Sequence, residues 1–402
     1  MGELTIELYG TPVGTLTGSA PDHDFVITPD APDLCAPGSP ILSTAVPLTT
    51  TPNRSHRARR QNFFRELLPE GRMRTRTAEL AGVGTHDVIG LLRRHGGDLP
   101  GAVQIRDPED TTEPALEPLT TAEVATMLAT VEDHPLGNRP PDGRTSLAGV
   151  QDKIALARTA TGWNRVVGGS PSTHILKPAS PTEPTTIYDE EYGARFVRAA
   201  GLAEYATWTT DFDGVPALVV ERFDRLADGS RLHQEDFSQA LGASGDQKYQ
   251  RFGGRVTMAR IANRLGDHDA LERLLRMTTL AVAVGNLDMH AKNIALLHRP
   301  DGSSTLAPAY DFVPQTHQRN DGEMALSVGG EYRHHGITRE HLVAEGTSWG
   351  LADAAEIVEA TLSAALTTVR TESPHPRAHP TLAADITRFT TNLLAGRAAG
   401  DG

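Results

Sequence analysis

The spacing of apolar residues changes between residues 222 and 235 of this chain, and that change limits what the chain can fold into. From residue 146 to about 222, apolar residues recur at every second position in short runs bounded by turn residues, as in KIALART, THILKP and YATWTTDFDGVPALVVERF. This spacing predicts strands, with the last run a hairpin that turns at its DG pair. Beyond residue 235 the helical period takes over in QEDFSQALG, TMARIANRLG and ALERLLRMTTLAVAV, and again in LADAAEIVEATLSAALTTVR and LAADITRFTTNLLAGR. A strand-rich segment followed by a helix-rich one predicts an α+β fold of two lobes with a cleft between them.

Upstream the pattern is mixed. Residues 4–17 read as strand, turn and strand, and FVITPD and ILSTAVPL as further short strands. QNFFRELLPEGRM, RTAELAGV and THDVIGLLRRHG read as helices, the last with Thr85 as its N-cap, and PGAVQI returns to strand. Residues 106–122 are acidic and rich in Pro and Thr, the composition of a linker. A short helix, TAEVATMLAT, and a Pro/Gly loop then lead to Ser146. Further on, DEEYGARFVRAAG reads as a helix stopped by Gly201.

Composition excludes several classes. No window nears eighteen unbroken apolar residues, so no membrane helix is expected, and the N-terminus has no secretory pattern. Gly2 is followed by Ile6 where a myristoylation signal needs Ser or Thr. A single cysteine, Cys35, forms no internal disulfide, which fits a reducing cytoplasm. A net charge of −13 argues against a general nucleic-acid binder. The basic runs RSHRARR (54–60) and RMRTR (72–76) are local exceptions, read either as solvated faces or as contacts for an acidic partner or DNA phosphates.

The chemistry concentrates in GNLDMHAKN (285–293), set between the apolar runs MTTLAVAV and IALL. Asp288 and Asn293 are five apart. If IALLH and TLAPAY pair across the turn RPDGSS, Asn293 lands beside Asp311. Three convergent oxygen-bearing side chains suit Mg²⁺, and two close carboxylates need a cation or a proton between them. Phosphoryl transfer needs such a set: one Asp to take the acceptor's proton, and an Asn and a second Asp on the metal. Lys177, on a short apolar strand, is a candidate for the nucleotide phosphates with Glu190 as its ion-pair partner; the competing reading is a lysine exposed on an edge strand. The loop SLAGVQDK offers backbone N–H groups for phosphates, with Lys153 adding charge. VVERFDR, at the change from strands to helices, is placed to present backbone to an adenine. His290 could face a phosphate.

With these residues in view, the chain resembles the HipA-type serine/threonine kinase toxins of bacterial toxin–antitoxin modules. FFRELLPEG and GDLPGAVQI are similar to that family's N-terminal subdomain. SLAGVQDK, HILKP, ALVVERFDR, HQEDFSQALG, GNLDMHAKN, LAPAYDF and MALSVGG are similar, in order, to its kinase core. The resemblance implies a two-lobed atypical protein-kinase-like fold, its strand-rich N-lobe carrying an added N-terminal subdomain. It divides the chain into that subdomain (1–110), a linker with a short helix (111–145), the rest of the N-lobe (146–222) and a helical C-lobe (223–402). It implies ATP and Mg²⁺ as cofactors and Asp288 as catalytic base, with Asn293 and Asp311 on the metal. For the nucleotide it implies Ala148, Gly149, Val150, Gln151, Asp152 and Lys153, Lys177, Glu221, Arg222 and Phe223, His290, Ala291, Lys292 and Asn293, and Tyr310 and Asp311. Ser146 matches the family's autophosphorylated serine. The implied partners are a helix-turn-helix antitoxin dimer of the HipB kind, operator DNA mainly through that complex, and a protein substrate in translation such as an aminoacyl-tRNA synthetase. No membrane partner is implied. Two other readings compete: a small-molecule phosphotransferase on a kinase-like fold, and a non-catalytic nucleotide-binding co-repressor.

Overall fold

The computed structural model describes residues 3–20, 22–31, 42–46, 56–139 and 141–402; Gly2, Cys35 and parts of the 41–48 and 54–60 stretches lie outside them. Strands β1 (Leu4–Leu8), β2 (Thr11–Ser19) and β3 (Asp22–Ile27) form an antiparallel meander, and β4 (Val103–Arg106) joins the free edge of β1. Alternation in β1 buries Leu4, Ile6 and Leu8. Helices α1 (Arg57–Glu66), α2 (Gly71–Ala81) and α3 (Val88–His95) complete this subdomain, with Phe63 and Phe64 buried beside Phe25 and Leu91. The N-cap of α3 is Asp87, whose carboxylate accepts the Gly90 N–H at 2.9 Å, and not the expected Thr85, whose carbonyl accepts Arg74 Nε. Residues 42–46 form no strand; Ser43 Oγ and Thr44 N–H donate to Glu235 of the C-lobe instead. Four arginines of the basic runs are in ion pairs within the chain: Arg57 and Arg60 with Asp24, Arg72 with Glu132 and Asp152, and Arg76 with Glu79.

The N-lobe is a six-stranded antiparallel sheet. It contains β5 (Ala115–Leu119), β6 (Ile154–Thr159), β7 (Gly162–Val167), β8 (His174–Pro178), β9 (Thr207–Phe212) and β10 (Val215–Glu221), in the order β5-β7-β6-β8-β10-β9. Of the linker and short helix expected over 111–145, the helix is present and the linker before it is corrected. Residues 115–119 are an edge strand of this sheet. Helix α4 (Thr121–Ala129), opened by a Thr120–Glu123 capping box, buries Val124, Met127 and Leu128 against Ile154, Leu156 and Leu176. Helix α5 (Thr186–Ala199) covers the opposite face. Leu218 of β10 packs in the core with α5, while its neighbours Ala217 and Val219 face α4. The β9–β10 turn has positive φ at Asp213 (47°) and Gly214 (89°), the type I′ geometry the DG pair predicts.

The C-lobe begins with β11 (His233–Asp236), a strand where the helical reading of QEDFSQALG expected none, and α6 (Phe237–Ala240), capped by Asp236. Helices α7 (Met258–Leu265) and α8 (His268–Val284) follow, then β12 (Ala295–His298), β13 (Ser304–Leu306), β14 (Glu323–Val328) and β15 (Glu331–Arg333). Helix α9 (Arg339–Ser348), not foreseen in the sequence, precedes α10 (Ala354–Thr371) and α11 (Leu382–Leu394). The last two turns of α8, Met277 to Val284, are buried on every side among α10, α11 and α5, which anchors the loop that follows. Among the described residues no helix is long and apolar enough to cross a membrane.

Candidate active site

The cleft between the lobes has a volume of 530 Å³, within the usual range for small-ligand sites. Its floor is the loop after α8. Gly285 ends that helix at φ 75°, where a Cβ would lie 2.7 Å from the Thr316 side chain. The loop then braces itself. Asp288 N–H donates to Asn286 Oδ1 (3.2 Å), Asn293 N–H to the His290 carbonyl (2.9 Å) and Asn293 Nδ2 to the Asp288 carbonyl (2.8 Å). The last bond uses one of the two N–H groups of the Asn293 amide and fixes the orientation of its side chain. The Asp288 side chain is 41% exposed, open on the cleft side. Burial by the other walls, and then the charge of Asp311, push its pKa up to about 6. Tyr249 OH donates to Asp288 Oδ1 at 3.3 Å.

Asp311 reaches the cleft in a register different from the one expected. The β12–β13 ladder pairs Leu296 with Leu306 and His298 with Ser304, two residues short of a register that would face Asn293 with Asp311. A shift of two keeps every side chain on its face, so both residues still line the cleft. Asp311 has φ 55°, a left-handed conformation that costs a non-glycine residue about 1–3 kcal/mol and collects at functional sites. Its Oδ1 lies 2.6 Å from Lys177 Nζ, which also meets Glu190 Oε1 at 2.7 Å. Strand β8 is interior to the sheet, so the edge-strand reading of Lys177 does not hold. Burial works to raise Asp311, but the Lys177 ammonium outweighs it and holds the carboxyl down to about 2. Glu190 moves the other way, raised by its own burial.

The remaining expected residues are spread around these. In the SLAGVQDK loop Lys153 Nζ donates to the Ala148 carbonyl (2.8 Å), and burial followed by the nearby Lys177 charge lowers its pKa to about 8. Gly149 has φ 112°, and a Cβ on it would sit 2.7 Å from Lys153 Nζ. Val150 and Gln151 line the cleft. At its rear, Phe223 lies between Tyr205 and Tyr310, with ring centroids at 5.8 and 5.5 Å, an apolar slot suited to a flat ring. Glu221 and Arg222 also border the cleft, but the Arg222 guanidinium is engaged elsewhere, with Asp224, Ser172 and the Leu99 carbonyl. His290 is buried, which lowers its pKa to about 3 and keeps it neutral, and its Nδ1 has no partner.

Three expected residues stand apart, and a fourth, Lys292, borders the cleft with its side chain engaged within the chain. Asp152 turns away to Arg72, and Ala291 is fully buried. Lys292 is held by Glu66 at 2.7 Å and Glu70 at 3.2 Å. Ser146 is fully buried with its Oγ on the Leu67 carbonyl at 2.9 Å. Glu66, Glu70, Lys248 and Tyr249 belong to the cleft wall and were missed. No local motif marks them, since their partners lie up to 226 residues away.

The donor set fits a magnesium nucleotide. Among the described residues no three His, Cys, Asp or Glu side chains could hold a metal by themselves, so a cation on Asn293 and Asp311 would complete its shell with water and the oxygens of a ligand. The unpartnered His290 Nδ1, the lysines beside it and the aromatic slot supply complementary contacts.

Comparison with known proteins agrees over most of the chain. The HipA-like C-terminal domain family matches residues 145–369 and the HipA N-terminal domain family residues 4–106. The curated protein "Putative kinase Y4mE" of Sinorhizobium fredii is 34% identical over 305 residues, 72% of each chain. "Serine/threonine-protein kinase toxin HipA" of Shewanella oneidensis is 28% identical over 310 residues, 72% of this chain and 71% of that one. The solved HipA of Shewanella oneidensis, in complex with HipB and its operator DNA, superposes with a TM-score of 0.76 at 24% identity, covering 98% of this chain and 96% of the other, and so shares its fold.

Proposed function

The chain belongs to the HipA-like kinase family, and we propose that it transfers the γ-phosphate of ATP to a serine or threonine of a protein. The observation that carries this reading is the Lys177 ammonium bridging Glu190 and Asp311 in a cleft whose floor is Asp288 and Asn293. This is the ion-pair and carboxylate layout phosphoryl transfer requires. A bound magnesium nucleotide would supply the transferable group and the positive charge that offsets it. Asp288, ionised above about pH 6, would accept the acceptor hydroxyl's proton. Tyr249, bonded to Oδ1, leaves Oδ2 free for that proton. Asn293 and Asp311 would hold the metal, Lys177 and Lys153 the phosphates, and the slot around Phe223 the base. Ser146, sealed against Leu67, is the proposed autophosphorylation site, and its loop must leave this position before the hydroxyl can react.

The known HipA structure with HipB and operator DNA supports a helix-turn-helix antitoxin as partner here too, with DNA met through that complex. The internal pairing of Arg57, Arg60, Arg72 and Arg76 agrees with that indirect contact. We assign the acceptor to a protein of translation and the protein to the cytoplasm.

The test is intact mass spectrometry after incubation with Mg-ATP, beside Asp288→Ala and an untreated sample. A gain of one phosphate that maps to Ser146 and is absent in the variant is expected. If neither the treated nor the untreated protein carries phosphate, and no protein acceptor is labelled, the protein-kinase reading fails.

A further inference from the structure

We infer that Glu66 and Glu70, on the turn joining α1 to α2, are positioning residues for phosphoryl transfer, and that Lys292 is their anchor in the catalytic loop and not a ligand of the nucleotide. The inference rests on the kinase reading of the cleft.

An ammonium group has three N–H bonds to give. Lys292 Nζ donates to Glu66 Oε2 at 2.7 Å and to the Glu66 carbonyl at 3.3 Å, and it forms an ion pair with Glu70 Oε1 at 3.2 Å, all from this turn. Lys292 and Glu66 are both 5% exposed, so water does not share the pair. With two N–H bonds given to Glu66 and its charge set against two carboxylates, Lys292 is held by this turn, although it borders the cleft beside Asn293.

The other oxygen of Glu70 takes Lys248 at 2.9 Å. Lys248 precedes Tyr249, whose hydroxyl bonds Asp288 and whose ring meets His290 edge-on at 5.2 Å. One turn of the N-terminal subdomain thus fixes the catalytic loop from two sides, directly through Lys292 and through Tyr249 at the base itself. The same turn touches the phosphate side, since Glu70 N–H donates to the Gly149 carbonyl at 3.2 Å and the Leu67 carbonyl accepts Ser146 Oγ. The turn sits where the N-terminal subdomain, the phosphate loop and the catalytic loop meet. The subdomain is on this account a working part of the kinase.

Removing one member of a buried pair leaves a charge without a partner, whereas replacing both by apolar side chains of similar volume is close to neutral. That asymmetry supplies the test. Wild type, Glu66→Gln, Lys292→Met and the double variant Glu66→Leu/Lys292→Met are compared for kcat, for KM of ATP and for ADP affinity by calorimetry, with melting curves alongside. The expected result is a kcat lower by about 10- to 100-fold in either single variant, the loss a misplaced base produces. ADP affinity stays within about threefold of wild type, and the double variant regains most of the lost rate. Because the double variant removes both buried charges together, it keeps the comparison readable should a single variant melt. Lys292→Met weakening ADP by more than about tenfold, with Glu66→Gln at wild-type rate, would return Lys292 to the nucleotide and overturn the inference. Unchanged kcat in every variant of an active wild type would overturn it as well. A wild type that transfers no phosphate would instead overturn the kinase reading beneath it.

Discussion

Gly193 of α5 passes so close to Phe312 that a Cβ on it would lie 2.0 Å from the Phe312 carbonyl oxygen. The helix that carries Glu190 and the segment that carries Asp311 therefore meet backbone to backbone, and Lys177 bridges their carboxylates. Gly193→Ala must push the two apart. The expected loss of stability is about 1–3 kcal/mol, with weaker nucleotide binding because the Lys177 pairs lengthen. Urea unfolding and ADP titration check this. Wild-type values in both would show that the contact relaxes without consequence.

In the proposed role of base, Asp288 should carry the pH dependence of transfer. As a base it works only when ionised, and its pKa is raised to about 6, so kcat/KM should fall as pH drops through about 6. Asp288→Asn should lower kcat by about 100- to 10,000-fold while ADP affinity changes little. A profile flat from pH 5 to 8 would remove Asp288 from the role.

Glu70 should show in stability. Burial would raise its pKa, but Lys292 and Lys248 prevail and hold it at about 2 against an ordinary 4.5. A carboxyl depressed on folding stabilises above its unfolded pKa, and the effect is lost as pH falls through the folded one. Wild type should exceed Glu70→Gln by up to about 3 kcal/mol at pH 7 and lose that lead between about pH 4.5 and 2. Denaturation at pH 7 and pH 3 giving the same difference would contradict the assignment.

Ser146 should separate hydrogen bonding from charge. Ser146→Ala removes one bond to the Leu67 carbonyl, a cost of about 1 kcal/mol, and should bind ADP as wild type does. Ser146→Asp sets a carboxylate against that carbonyl in a fully buried site, so the loop should leave and ADP affinity should drop. Equal affinities in the two variants would mean that the loop's place does not govern the nucleotide site.

What was legible in the sequence follows from the range of each interaction. GNLDMHAKN stood out because polar residues between two apolar runs need a reason to be there, and the DG turn because its backbone demand is local. Strand β5 was not legible: all but the last of its five residues are exposed and Pro118 interrupts it, so ALEPL has no alternation to read. Thr85 and Asp87 are both plausible caps, and only the geometry of Gly90 decides between them. The partners of Lys292 lie up to 226 residues upstream, beyond any periodicity, so nothing local countered the phosphate role that the family resemblance implied for it.

Strand β5 also changes what it would mean to shorten this protein. The stretch 106–122 has the composition of a tether, yet five of its residues, 115–119, are stitched along the margin of the N-lobe sheet. A fragment that began near residue 145, where the C-terminal family match starts, would lose a strand and the helix beneath it. Val124, Met127 and Leu128 would no longer shield Ile154 and Leu176, and the bare margin of β7 would be open to a neighbouring molecule. The seam between the two halves does not lie where the composition changes, and a protease acting there would unravel an edge rather than sever a leash.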